Sequence, residues 1–204
     1  METYSKLFKS IGKLALATVI LLLLPLLAMQ YTNEVMWTLS DFIVGGILIF
    51  STGVTYLLVT QKLAPKIGNK SIYKIAVGFT LFSGLFLIWA NLAVGIIGAE
   101  NNPFNLIYFG VIAIGIIGSL ITRFKPKEMS HLMFATAICL VGITINALTS
   151  GMQNNPDSSV FEILGINGLF ISLFLVSALL FRYTTGKITN TDPNSSNGPK
   201  IQQN

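Results

Sequence analysis

The residues best suited to chemistry lie in one stretch, Trp89 to Asn105, which reads W-A-N-L-A-V-G-I-I-G-A-E-N-N-P-F-N. Its amide and carboxyl side chains, which can bind a polar solute or a cation, are Asn91, Glu100, Asn102 and Asn105. Asn91 lies within an apolar run, and on a continuous helix it would be about 13 Å deeper than Glu100. An amide in hydrocarbon must be hydrogen-bonded, because an unpaired one costs several kcal/mol. The pattern therefore predicts either a bond between helices or a ligand contact in an outward-facing polar pocket.

Three carboxylates define a second candidate site. Asp41, Glu100 and Glu162 each lie at or just before the start of an even-numbered apolar run. If three helical hairpins pack around a common centre, these side chains face one another, and their clustered negative charge attracts cations. The alternative is that each carboxylate lies at the start of its own helix, where negative charge interacts favourably with the helix dipole. The sequence leaves open whether a metal ion binds at such an outer acidic site.

Other kinds of site have no support in the sequence. No nucleophile stands beside a base in a known arrangement, and the H-E-x-x-H and G-x-S-x-G motifs are absent. Cys139 is the only cysteine and His131 the only histidine, which excludes an intramolecular disulfide, a C-x-x-C zinc site and a c-type haem motif. We therefore predict no catalytic residue and no cofactor, and an enzyme is the least favoured class of function.

The composition is that of a membrane protein. Of the 204 residues, 52% are hydrophobic and only 10% are charged, and the mean hydropathy is +0.71. Soluble domains have about 25% charged residues, so we expect an all-α polytopic protein embedded in a lipid bilayer. The net charge of +5 does not indicate nucleic-acid binding. Its basic residues flank the apolar runs and form no stripe with interleaved aromatic residues.

Six apolar runs are long enough to cross a membrane, and they comprise residues 14–33, 42–61, 75–99, 104–122, 132–149 and 160–181. We predict that they form six transmembrane helices in three hairpins, within a domain of residues 14–182. Residues 1–13 form a basic cytoplasmic arm ahead of it. The first run spans about 30 Å and lacks a small-x-small cleavage site, so a membrane span is favoured over a signal peptide. The polar composition of residues 183–204 predicts a disordered cytoplasmic tail.

The distribution of charge predicts the orientation of the chain. All 13 lysine and arginine residues lie in the arm, the second and fourth loops, or the tail. The first, third and fifth loops contain Glu34, Glu100 and Asp157 and no basic residue. By the positive-inside rule, both termini are cytoplasmic and these three loops face the periplasm.

Local signals predict how the helices begin and how two of them pack. Ser40 or Asp41 is expected to cap the second helix, and Asn102 to cap the fourth, with Pro103 in its first turn. The third and fourth runs are rich in small residues, which let helix backbones approach closely and so predict a tight hairpin. The glycines concerned are Gly95, Gly98, Gly110, Gly115 and Gly118.

Two segments resemble those of small bacterial six-span inner-membrane proteins of unassigned function. They are M-Q-Y-T-N-E-V-M-W-T-L-S-D-F, from Met29 to Phe42, and the stretch from Trp89 to Asn105. The resemblance covers most of the first four runs. It implies a location in the bacterial cytoplasmic membrane and no particular activity, substrate or cofactor. The glutamate-asparagine-proline loop is what these proteins share, which makes it the first place to look for a site.

Two functions fit the sequence. The first is a small-solute or ion transport or binding protein with an outward-facing polar pocket. The alternative is a structural or assembly membrane protein without a ligand. The expected partners are the lipid bilayer and, for the first function, an ion or small solute, and the sequence leaves homo-oligomer formation open. Ligand-dependent thermal stabilisation separates the two functions, because a ligand that binds only the folded state raises its stability.

Overall fold

The computed structural model describes residues 2–33, 35–63, 70–99, 101–154 and 158–189. Regular structure in these ranges is entirely helical, which confirms the predicted all-α fold. The long helices are α1 (Glu2–Tyr31), α2 (Leu39–Leu58), α3 (Lys70–Ala93), α4 (Ile107–Ile121), α5 (Pro126–Thr149) and α6 (Val160–Thr189). With the short helical turns that adjoin α2 and α4, they supply six stretches long and apolar enough to cross a membrane. The chain is therefore a polytopic membrane protein.

Helices α3 to α6 form the core of the molecule. α5 and α6 share the largest interface, α6 also packs along α3, and α4 contacts both α3 and α5. Because successive helices run in opposite directions, these four form an up-down bundle. Aromatic pairs join α3 to α6: the ring centroids of Tyr73 and Phe181 are 5.9 Å apart, and those of Phe86 and Phe170 are 5.3 Å apart.

Helices α1 and α2 form a hairpin beside this bundle. In the described residues α1 makes its extensive contacts with α2 alone, and α2 connects the hairpin to the bundle through α3. Most side chains of the hairpin are exposed, including Leu16 at 63%, Leu24 at 63% and Ile47 at 63%. Helices of this length that contact lipid need exposed apolar side chains, and the hairpin has them. The predicted three hairpins are present, but they do not surround a common centre.

Several helix boundaries differ from the sequence prediction. Three helices begin well before their apolar runs: α1 at Glu2, within the predicted arm of residues 1–13, α3 at Lys70 and α5 at Pro126.

Two helices end elsewhere than predicted. α3 was expected to reach Ala99, but it ends at Ala93, because the φ angles of Gly95 and Gly98 are +75° and +63°, outside the right-handed helical region. α6 continues to Thr189, so residues 183–189 of the predicted disordered tail are helical. Thr184, within this helical extension, is fully buried. The remainder of the tail, residues 190–204, lies outside the described residues.

The glycine series does not join α3 to α4 as predicted. Gly95 and Gly98 lie in the loop after α3, and a Cβ atom added at Gly110 or Gly115 would meet nothing within 4 Å. A Cβ atom added at Gly118 would collide with the side chain of Leu132 on α5. α3 and α4 do contact each other, but Gly95 and Gly98 belong to a loop, Gly118 lies at the α4–α5 contact, and Gly110 and Gly115 have open space around them. Spacing alone could not show which side of α4 faces which neighbour.

Candidate functional site

The loop between α3 and α4 folds around the side chain of Asn105. This residue lies in a 3-10 turn, Pro103–Leu106, that leads into α4, and it is 3% exposed. Its Oδ1 accepts the backbone N–H groups of Ile96 and Ile97, at 3.2 and 3.0 Å. Its Nδ2 donates to the carbonyl oxygens of Ile97 and Ala99, at 3.3 and 3.0 Å. One amide therefore provides the hydrogen bonds that this irregular backbone lacks, and its capacity is filled within the loop.

Asn102 caps the same 3-10 turn, whereas the prediction was that it caps α4 itself, whose N-cap is Leu106. Its Oδ1 accepts the N–H of Phe104 at 3.0 Å, and its Nδ2 donates to the carbonyl oxygen of Ile97 at 3.0 Å. Pro103 follows at the first position of the turn, where a missing N–H costs no internal bond. Both side-chain polar groups of Asn102 thus also contribute to the shape of the loop.

Asn91, near the end of α3, is the one of these three amides with unfilled hydrogen-bonding capacity; elsewhere in the described chain, the side-chain oxygen of Gln153 is also buried without a partner. Its side chain is 5% exposed, and its Nδ2 donates to the backbone carbonyl oxygen of Asn105 at 3.1 Å. Its Oδ1 is buried and has no hydrogen-bond partner among the residues that the structure describes. The orientation of the amide is set by its neighbour, because exchanging nitrogen and oxygen would place two acceptors against each other. A buried acceptor without a donor costs about 1–3 kcal/mol, so this oxygen needs a donor.

The three amides meet at an open groove of about 510 Å³ at the end of the bundle that carries the α3–α4 loop. We call it the amide groove. It is lined by Asn91, Leu92, Asn101, Asn102, Pro103, Asn105, Leu106 and Phe109. Three of the four predicted pocket residues are thus brought together by the fold. The fourth, Glu100, lies outside the described residues.

The predicted acidic site is not assembled among the described residues. Thr38, and not Ser40 or Asp41, is the N-cap of α2. Asp41 completes a capping box, because its Oδ2 accepts the N–H and the hydroxyl of Thr38 at 2.7 and 2.8 Å. Glu162 is exposed in the first turn of α6, and Glu100 is not described. The described part of the chain holds no group of three or more His, Cys, Asp or Glu side chains suited to a metal ion. The three-carboxylate cation site therefore stays a prediction.

One buried amide was missed by the sequence analysis. Asn167 of α6 is fully buried, and its Oδ1 accepts the hydroxyl of Tyr108 on α4 at 2.7 Å. Its Nδ2 donates to the carbonyl oxygen of Ile163 at 2.9 Å. The available signal was an asparagine inside an apolar run, in G-I-N-G, which is the same signal that drew attention to Asn91.

The fold and the groove together define a six-helix polytopic membrane protein with an amide-built loop at one end of a four-helix bundle. The chain matches no protein-family model, no curated protein and no solved structure. Its function is therefore argued from the geometry of the site.

Proposed function

We propose that this chain is a small-solute binding protein of the bacterial cytoplasmic membrane, with the amide groove as its binding site. One observation carries the proposal: within the described part of the chain the side-chain oxygen of Asn91 is buried and unpartnered, and Asn91 lines a groove that opens to the surface. A hydrogen-bond donor on a solute would satisfy this oxygen. Ligand sites are typically concave and mostly apolar, with a few polar groups that orient the ligand, and the amide groove fits that description.

We further propose that the amide groove opens toward the periplasm. Lysine and arginine residues flank the α2–α3 and α4–α5 connections and both terminal segments, whereas the α3–α4 loop has none. The positive-inside rule then makes both termini cytoplasmic and the α3–α4 loop periplasmic. The bacterial cytoplasmic membrane itself is proposed from the resemblance of two segments to small bacterial inner-membrane proteins.

Binding is better supported than transport. Leu87, one helical turn from Asn91 toward the bundle interior, is fully buried in the apolar core. Phe170 of α6 is buried and lies against Phe86 of the same turn. Polar solutes cross a membrane protein along polar or water-filled paths, and these side chains make the interior next to the groove apolar.

A structural or assembly protein without a ligand is the second candidate. The side chains of Asn102 and Asn105 favour it, because all of their observed hydrogen bonds stay within the α3–α4 loop. On this account the groove is a consequence of the loop's shape, and water satisfies the oxygen of Asn91.

The two functions differ in whether a compound occupies the groove. We would extract the protein from its native membrane in polymer-bounded lipid discs and identify by mass spectrometry the small molecules released on heating. Leu106→Trp fills the groove from its 68% exposed rim, and Leu120→Trp is the matched control at a 63% exposed position of α4 outside the groove. We expect a compound that accompanies the wild type and Leu120→Trp but is lost from Leu106→Trp. Identical contents in all three would contradict binding and favour the structural alternative.

A further inference from the structure

The walls of the amide groove are apolar side chains of the kind that face lipid. Leu92 is 47% exposed, Leu106 68% and Phe109 39%, and all three line the groove. Val94, just beyond the end of α3, is 64% exposed. The groove lies where two membrane-spanning helices end, which is the level at which acyl chains meet head groups. A molecule with an apolar chain can therefore lie along these walls while its polar end reaches the amides.

One residue that lines the amide groove has a side-chain acceptor without a donor in the described part of the chain. The carbonyl oxygen of Ile97 already accepts from two asparagine side chains, and that of Ala99 accepts from Asn105 and from a backbone N–H. The side-chain oxygen of Asn91 remains without a donor. This atom is buried and belongs to a residue that lines the groove, so binding of a ligand to it requires a lining side chain to change its rotamer, which is a nanosecond motion or faster. The group that completes the site is a hydroxyl or an amide N–H.

The described lining carries no charge. None of its residues is Lys, Arg, His, Asp or Glu, and a charged group taken out of water without a counter-charge is strongly disfavoured. The acidic residue nearest in sequence, Glu100, lies outside the described residues, so a cationic probe is included below to test its contribution.

We propose that the ligand of the amide groove is an uncharged amphiphile from the bilayer, whose hydroxyl or amide N–H donates to the side-chain oxygen of Asn91. This inference rests on the proposed binding function and adds the chemical class of the ligand. The apolar chain of the amphiphile packs against Leu92, Leu106 and Phe109.

The test uses four probes that share an eight-carbon chain and differ in the polar group at its end. They are 1-octanol, octyl methyl ether, octanoate and octylammonium. Acetamide is a fifth probe, because it offers an amide donor from solution without a chain. The full-length protein is placed in phosphatidylcholine discs, since this head group offers no hydrogen-bond donor of its own. The readout is the unfolding midpoint of the wild type minus that of Leu106→Trp at the same probe concentration, which removes the general effect of the probe on the bilayer. Leu120→Trp is the control for the substitution.

We expect 1-octanol at saturation to raise this difference by roughly 3 °C or more, and the other probes to leave it unchanged. Asn91→Leu should abolish the response, and if that variant does not fold, the comparison with Leu106→Trp decides by itself. An equal effect of the ether would overturn the need for a donor. A response to octylammonium or octanoate without one to octanol would overturn the uncharged class. A response to acetamide alone would overturn the amphiphile.

The failure of this inference can be told from failure of the proposed function. If no probe acts but a compound still accompanies the wild type and is lost from Leu106→Trp, the ligand class is wrong and binding at the groove stands. If no probe acts and no compound is found, both are wrong and water satisfies the oxygen of Asn91.

Discussion

At the residue scale, Asn105 takes the place of the backbone hydrogen bonds that a longer α3 would have supplied. Its side chain binds two N–H groups and two carbonyl oxygens of the segment from Ile96 to Ala99. Ile96 and Ile97 are buried, so these groups have limited access to water if the amide is removed. The loop therefore depends on one side chain more than on any regular element.

Substitution of Asn105 should be strongly destabilising. Asn105→Ala leaves the buried N–H groups of Ile96 and Ile97 without partners, and we expect a loss of roughly 2–4 kcal/mol, or about 5–10 °C in the unfolding midpoint in detergent. Asn105→Asp keeps the shape but cannot donate to the carbonyl oxygens of Ile97 and Ala99, so it should also destabilise. Asn101→Ala, at an exposed position of the same loop, is the control and should shift the midpoint by about 1 °C or less. Equal midpoints for the Asn105 and Asn101 variants would contradict this role.

Replacing Gly95 by a residue with even the smallest side chain should lower the stability of the protein. Its φ of +75° disfavours any L residue, and a Cβ atom there would lie 2.8 Å from both the carbonyl oxygen of Ala99 and Nδ2 of Asn105. We expect Gly95→Ala to lower stability by about 1–3 kcal/mol. Gly115→Ala is the opposite case, because Gly115 is helical with open space around it. That change should stabilise by up to about 1 kcal/mol. Thermal unfolding of both variants checks the prediction, and a stabilising Gly95→Ala would refute it.

At the scale of elements, the bundle is joined by few specific polar bonds between helices. The hydroxyl of Ser130 on α5 donates to the carbonyl oxygen of Ala178 on α6 at 2.8 Å, and that of Tyr73 on α3 donates to the carbonyl oxygen of Phe124 in the α4–α5 turn at 2.8 Å. Most other serine and threonine hydroxyls bond the carbonyl oxygen one turn earlier in their own helix, as Thr136 and Ser177 do. Apolar contact therefore provides most of the packing, and the interhelical bonds set its register.

The bond between Tyr108 and Asn167 should couple α4 to α6. Tyr108→Phe leaves the buried oxygen of Asn167 unpaired, and we expect a loss of about 1–2 kcal/mol. Combining it with Asn167→Leu removes both partners, so the double variant should be more stable than the sum of the single effects predicts. The coupling energy should be about 0.6–1.7 kcal/mol. Tyr31→Phe, at an 86% exposed tyrosine, is the control and should have no effect. Strict additivity would show that the bond contributes nothing to the packing of α4 on α6.

At the scale of the whole molecule, the α1–α2 hairpin and the α3–α6 bundle differ in how much they bury. In the apolar 18-residue segment of each helix, only 6% of α1 and 6% of α2 is buried inside the protein, against 39% of α5. Lipid therefore takes the place of protein neighbours around most of the hairpin. The amide groove belongs to the bundle, the part of the molecule in which protein contacts are densest.

The orientation of the whole chain can be tested with single cysteines in a Cys139→Ala background. Asn101→Cys lies in the α3–α4 loop and Lys125→Cys in the α4–α5 turn, and both positions are exposed. By the positive-inside rule, a membrane-impermeant maleimide should label Asn101→Cys in cells with a permeabilised outer membrane. It should label Lys125→Cys only after the inner membrane is opened. The reverse labelling pattern would invert the topology and place the amide groove at the cytoplasmic surface.

The number of spans could be predicted from the sequence, because a bilayer demands about 20 apolar residues per helix regardless of the neighbouring helices. Asn102 as a cap before Pro103 was also predictable, since capping is a local interaction. The end of α3 at Ala93 could not be predicted. It depends on a hydrogen bond from the N–H of Ile97, a residue predicted to be helical, to the side chain of Asn105. Gly95 and Gly98 fit helix packing and left-handed turns equally well in a sequence, and only the tertiary structure decides between them.

The same division holds for the candidate site. The sequence by itself singled out Asn91, because a buried amide in an apolar run must find partners. Only the tertiary structure decided that its nitrogen donates to Asn105 and that its oxygen has no partner in the described ranges of the chain. It also decided that Asn167 pairs with Tyr108, far away in the chain. Hydrophobicity is a property of each segment alone, whereas hydrogen-bond partners are set by how the segments pack, and so the membrane location could be predicted from the residues and the site could not.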